Sequence, residues 1–258
     1  MPQEPIAALA CATAFTKPLQ VLCVGPNVDL PPAPQVKPDE TSDFLDKAHA
    51  ELGSHSVIYM AFGTVFFPLP ESARHLEVLV EEIVAHGFRL VFALCSEQAN
   101  VREALVERLT REGKAIFPKW TNQVNVIEHP AIHYVMSHGG WNTTTEAIVR
   151  NVPIIFWPFA GNQPFNTAQV TAQHDCGFEL LQVRTGAAGD KAYSGTTVVG
   201  TDETVRGEIQ NVLEMSKDAR GMHQRINVKA LGRIIRESIS KEGSGDIALE
   251  DFGELIEL

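Results

Sequence analysis

From Ser54 onward, short continuous apolar runs alternate with longer stretches whose apolar positions recur every three or four residues. SVIYMAF (Ser56–Phe62), FRLVFAL (Phe88–Leu94), AIHYVMS (Ala131–Ser137) and VPIIFWP (Val152–Pro158) predict strands; AIFPKW (Ala115–Trp120) and GFELL (Gly177–Leu181) predict shorter ones. Between them, PESARHLEVLVEEIVAHG predicts an amphipathic helix ending at Gly87, and QANVREALVERLTREG, NTTTEAIVRN and NQPFNTAQVTAQHD predict further helices. Helices over Glu203–Lys217, Asp218–Ser240 and a last one within residues 241–258 finish the chain. Strands that are apolar on both faces and alternate with helices predict an α/β fold: a Rossmann-like parallel sheet with helices on both faces. Such a sheet binds ligands beyond the carboxyl ends of its strands.

The flanks read differently. LQVLCVGP (Leu19–Pro26) predicts a short strand, and the Pro-rich, acidic stretch that follows predicts an extended linker over residues 31–53. VRTGAAGDKAYSGTTVVGTD predicts a glycine-rich loop. The chain has 258 residues, of which 44% are hydrophobic, enough for a sizeable core. A formal charge of −11 gives no bulk attraction for a phosphate backbone, which argues against nucleic acid as a partner. Cys11, Cys23, Cys95 and Cys176 are scattered, with neither disulfide nor metal spacing, and fit a reducing, cytoplasmic setting. No run approaches the roughly 20 apolar residues that span a bilayer.

Candidate chemistry gathers in HYVMSHGGWNTTTEAI (His133–Ile148). A strand ending near Ser137 meets a glycine turn at His138–Gly140, and a helix starts at Trp141–Thr143. Free N–H groups and the positive dipole end at such a start favour an anion, and glycines let a phosphate approach the backbone. An ordinary capped helix explains the turn equally well.

The flanking stretches break that tie. WTNQ (Trp120–Gln123), HGGWNT with Glu146 following, NVPIIFWP and NQPFN (Asn162–Asn166) resemble, without a gap, the signature box of UDP-dependent glycosyltransferases of the plant secondary-product type and their fungal and animal relatives. The resemblance implies the second, donor-binding half of a GT-B glycosyltransferase, with residues 1–30 a remnant of the acceptor domain and residues 54–240 the UDP-sugar domain. It also implies roles. Trp120 stacks on uracil, with Gln123 near its edge, and Glu146 accepts from the ribose hydroxyls. His138, Gly140, Asn142, Thr143 and, from the MAFGT strand end, Gly63 and Thr64 surround the phosphates. Trp141, Asn162 and Gln163 face the sugar. No metal and no cofactor beyond the UDP-sugar donor is implied.

Two departures stand out: Asn122 replaces the family's Pro, and Asn162 replaces an Asp, exchanging an acceptor-only carboxylate for an amide. Nothing before Pro18 resembles the acceptor domain's opening strand with its catalytic His, and neither His49 nor His55 is a substitute, so no catalytic residue is expected here. The expectation is UDP-sugar binding without transfer by this chain alone. A separate acceptor-domain chain or self-association would complete it; a lectin-like binding protein is the alternative. His129, His133 and His174 are expected on the surface or on helices, without a role, and Cys176 is expected to pack on the sheet.

Overall fold

The computed structural model describes residues 20–28, 30, 38–185, 191–192 and 194–256. Six strands form one parallel sheet: β1 (Val57–Ala61), β2 (Arg89–Ala93), β3 (Ala115–Ile116), β4 (Ile132–Ser137), β5 (Ile154–Phe156) and β6 (Gly177–Glu179), in the order β3-β2-β1-β4-β5-β6. The order reverses between β1 and β4, which leaves a crevice above their carboxyl ends.

The continuous apolar strands divide their side chains between two cores. Ile58, Met60, Leu90, Phe92, Tyr134 and Met136 point to one face. They meet α2 (Ala73–Ala85), α3 (Glu103–Arg111) and α7 (Asp202–Lys217). Val57, Tyr59, Val91, Val135, Ile154 and Phe156 point to the other, against α1 (Glu40–Leu52), α4 (Gln123–Glu128), α5 (Trp141–Val149) and α8 (Ala219–Ser238). A strand alternates its side chains every second residue, so burial on both sides requires unbroken apolarity. Helix α6 (Gln163–Ala168) runs into a π-turn at Gln169–Gln173, and α9 (Ser244–Leu255) ends the described chain.

Several expectations need correction. The strand expected at Leu19–Pro26 is absent from residues 20–28, which follow the end of α8 instead; a Cβ on Gly25 would lie 2.4 Å from Ile239. A strand needs a paired neighbour, and these residues have none in the sheet. The linker expected over residues 31–53 is helical from Glu40. Asp39 and Ser42 form a reciprocal capping box, and Leu45 and Ala48 are buried. Helix α4 was not expected; Asn122 caps it by accepting from the Asn125 N–H.

His133 is not a surface residue. It is buried within β4, bonded to Ser216 and to the Arg225 guanidinium. Burial, then Arg225, pushes its pKa down to about 2, so it is a neutral core imidazole. Cys176 is fully buried against the sheet. Residues 1–19, the stretch 31–37 and the centre of the glycine-rich loop, 186–190, lie outside the described residues.

Candidate functional site

A cleft of about 680 Å³ opens above the carboxyl ends of β1 and β4, at the point where the strand order reverses. Its walls bring together Gly63, Thr64, Trp120, Gln123, His138, Gly140, Trp141, Asn142, Thr143 and Glu146. These residues come from three separate connections in the chain, and the parallel sheet collects them at the carboxyl end of its strands.

Trp120 stands at the rim with 73% of its surface exposed. A ring so uncovered adds little to the core and offers a face to a planar ligand. Behind it lies a chain of hydrogen bonds. The Tyr59 hydroxyl, buried in β1, lies 2.8 Å from the Thr121 hydroxyl and donates to Gln123 Oε1. Gln123 Nε2 then donates to Glu146 Oε2 at 2.5 Å and to Thr143 Oγ1 at 3.2 Å. The amide thereby fixes the carboxylate of Glu146 at the cleft wall and leaves its acceptor capacity facing the opening. Gln123 is a positioning group for Glu146 in this geometry. Tyr59 and Thr121 were not expected at the site; Tyr59 was hidden because its strand is otherwise wholly apolar.

The floor is the start of α5. Gly140 caps this helix with no side-chain bond, so the first N–H groups face the cleft without intrahelical acceptors. His138 lies beside them between two glycines. A Cβ at Gly140 would lie 2.5 Å from His138 Nε2, and one at Gly63, where φ is +77°, would lie 3.1 Å from Cε1. Neither position has room for a side chain while the imidazole stays in place. Burial pushes the His138 pKa down to about 4, so the ring is neutral at pH 7. Ser137 Oγ lies 3.5 Å from Nδ1, and in the tautomer protonated at Nε2 the neutral ring can donate to an anion.

Two expected residues are not brought to this wall. Asn162 is exposed at the start of α6. Gln163 is buried, its Oε1 accepting from the N–H groups of Phe159 and Ala160. The side chain of Gln163 thus shapes the loop after β5. Among the described residues no group of three His, Cys, Asp or Glu side chains is placed to hold a metal ion, and no helix is long and apolar enough to cross a membrane.

The family model for UDP-glucoronosyl and UDP-glucosyl transferase matches residues 27–216, which include every wall of this cleft. The chain belongs to that family. It is 28% identical over 216 residues to the UDP-glycosyltransferase eriJ of Hericium erinaceus, covering 81% of this chain and 42% of that protein. It is 26% identical over 238 residues to anthocyanidin 3-O-glucosyltransferase 7 of Manihot esculenta, covering 92% and 74%.

Among solved structures, Phytolacca americana UGT2 complexed with UDP-2fluoro-glucose and pterostilbene superposes with a TM-score of 0.71 at 21% identity, over 99% of this chain and 51% of that one. Medicago truncatula UGT71G1 complexed with UDP-glucose gives 0.70 at 24% identity, over 98% and 51%. The fold is that of one half of a GT-B glycosyltransferase, as expected from the sequence, and the chain spans about half the length of these structures.

Proposed function

We propose that this member of the UDP-glycosyltransferase family binds a UDP-sugar in the cleft between β1 and β4. It acts as the donor half of an inverting hexosyl transfer that also needs an acceptor-binding half. The carrying observation is the convergence on one cleft of an exposed indole at Trp120, a carboxylate at Glu146 held by Gln123, and the open helix start beside a neutral His138.

Each feature suits one part of the donor. Uracil stacks on Trp120, a contact worth about 1–3 kcal/mol. Glu146 accepts from the two ribose hydroxyls. The pyrophosphate takes the first N–H groups of α5, the Nε2–H of His138 and the side chains of Asn142 and Thr143. Gly63 and Thr64 face it from the turn after β1. Trp141 and the loop carrying Asn162 and Gln163 lie toward the sugar. The neutral state of His138 is consistent with donation to an anion. The same low pKa makes it a poor general base toward an acceptor hydroxyl.

A carbohydrate-binding protein without catalysis is the second reading, and the weak basicity of His138 favours it as much as it favours a donor half. Calorimetric titration with UDP, UDP-glucose and free glucose separates them. Binding of UDP and UDP-glucose but not of glucose supports the donor site. Binding of glucose with no response to UDP overturns it in favour of the lectin-like role.

A further inference from the structure

Asn166, the last residue of NQPFN, is no part of the cleft wall and is only 5% exposed. It lies in α6, behind the glycine turn, and its Nδ2 donates to the carbonyl oxygen of Gly139 at 2.8 Å. A carbonyl only accepts, so the amide nitrogen must be the atom that faces it. Gly139 is pressed onto the same helix. Its φ is +84°, and a Cβ there would lie 2.8 Å from Thr167 Oγ1 and 3.0 Å from the Gln163 carbonyl oxygen.

The Gly139 carbonyl shares one planar peptide with the Gly140 N–H, and in a trans peptide the two point in opposite directions. Holding the carbonyl toward α6 therefore turns the N–H away from α6. Gly140 lines the cleft, next to His138 Nε2, and its N–H has no acceptor among the described residues. A peptide between two glycines has a second orientation open to it, because neither residue carries a Cβ to bar the rotation. That rotation would aim the Gly139 carbonyl, with its partial negative charge, at the place where an anion is to sit. It would also turn the Gly140 N–H toward α6, where Thr167 Oγ1 is buried beside Gly139 without a hydrogen bond. The bond from Asn166 opposes this rotation.

We propose that Asn166 is a positioning residue: it locks the Gly139–Gly140 peptide so that the Gly140 N–H is offered to the donor's pyrophosphate. Asn166 itself stays out of contact with the ligand. The inference rests on the donor reading for the identity of the anion, whereas the direction of the peptide is independent of it.

Asn166→Asp keeps the shape of the side chain and replaces the donor by acceptors that repel the Gly139 carbonyl. Calorimetry with uridine and with UDP separates its effects. Uridine affinity, set at the wall of Trp120 and Glu146, should match the parent's and shows that the variant is folded. The gain in affinity from uridine to UDP should fall by about tenfold or more. Asn166→Ala, which removes the donor without adding repulsion, should fall between the two. Equal weakening of both ligands would mark a merely structural role and overturn the proposal, as would an undiminished gain in Asn166→Asp. A crystal structure of nucleotide-free Asn166→Asp should show the Gly139 carbonyl turned into the cleft; a carbonyl in its parental direction would overturn the lock. A parent protein with no gain from uridine to UDP would refute the donor reading, while the turned carbonyl would still establish the lock, so the two failures are distinguishable.

Discussion

Replacing Trp120 by alanine removes an indole that is 73% exposed and that no described ring pairs with. The core therefore loses little: its large buried aromatics include Tyr59, Tyr134, Phe62, Phe92, Phe156 and Trp157, and Trp120 is not among them. Surface substitutions of this sort change folding stability by about 0.5 kcal/mol or less. A base stacked on that ring would lose about 1–3 kcal/mol, which at about 1.4 kcal/mol per decade weakens UDP affinity by about 5- to 150-fold. Trp120→Phe keeps a smaller π-face and should fall between the two. Calorimetry with UDP measures the affinity, and urea unfolding of the same samples measures the fold. An alanine variant that binds UDP as tightly as the parent would refute the stacking role. One that unfolds would show that Trp120 belongs to the core.

Three further outcomes follow from the geometry. Gln123→Leu removes the donor held 2.5 Å from Glu146 Oε2 and should weaken uridine and UDP by about tenfold each, leaving pyrophosphate binding unchanged, as read by calorimetry. Gly140→Ala drives a Cβ to within 2.5 Å of an imidazole already confined by Gly63, and should cost about 1–3 kcal/mol in urea unfolding. His138, with its pKa lowered by burial from 6.5 to about 4, resists protonation in the folded state. Its contribution is fully present above pH 6.5 and is lost as pH falls to about 4, amounting to at most about 3 kcal/mol. His138→Gln should flatten the stability profile in that window, and an unchanged acid slope would contradict the assignment.

The sheet was legible because burial on both faces writes itself as unbroken apolar runs, and β1, β2, β4 and β5 fall inside the runs that predicted them. The last residues of such runs were less so. AIFPKW pairs only at Ala115–Ile116, since Pro118 has no N–H to give the ladder. Helix α1 was hidden because its buried stripe is thin, with only Thr41, Leu45 and Ala48 turned inward, and because prolines precede it. Its capping pair, Asp39 and Ser42, was the available signal.

At the site, the glycine turn and the Trp, Gln and Glu spacing named residues that the fold does gather into one cleft. Side-chain direction was not legible. NQPFN does not announce that Gln163 Oε1 accepts from the N–H groups of Phe159 and Ala160. WTNQ likewise does not announce that Gln123 Nε2 donates to Glu146. His133 looked dispensable because an isolated His in an apolar run carries no mark of a partner 92 residues away, Arg225.

The donor site itself is tested most directly by amide hydrogen exchange with and without UDP. Exchange should slow at the Gly140–Glu146 helix start and at residues 120–123, while the opposite, amino-terminal end of the strands, around Arg225 and Arg236, stays as it was. Protection confined to that opposite end, or no protection at either place under saturating UDP, would contradict a nucleotide cleft between β1 and β4.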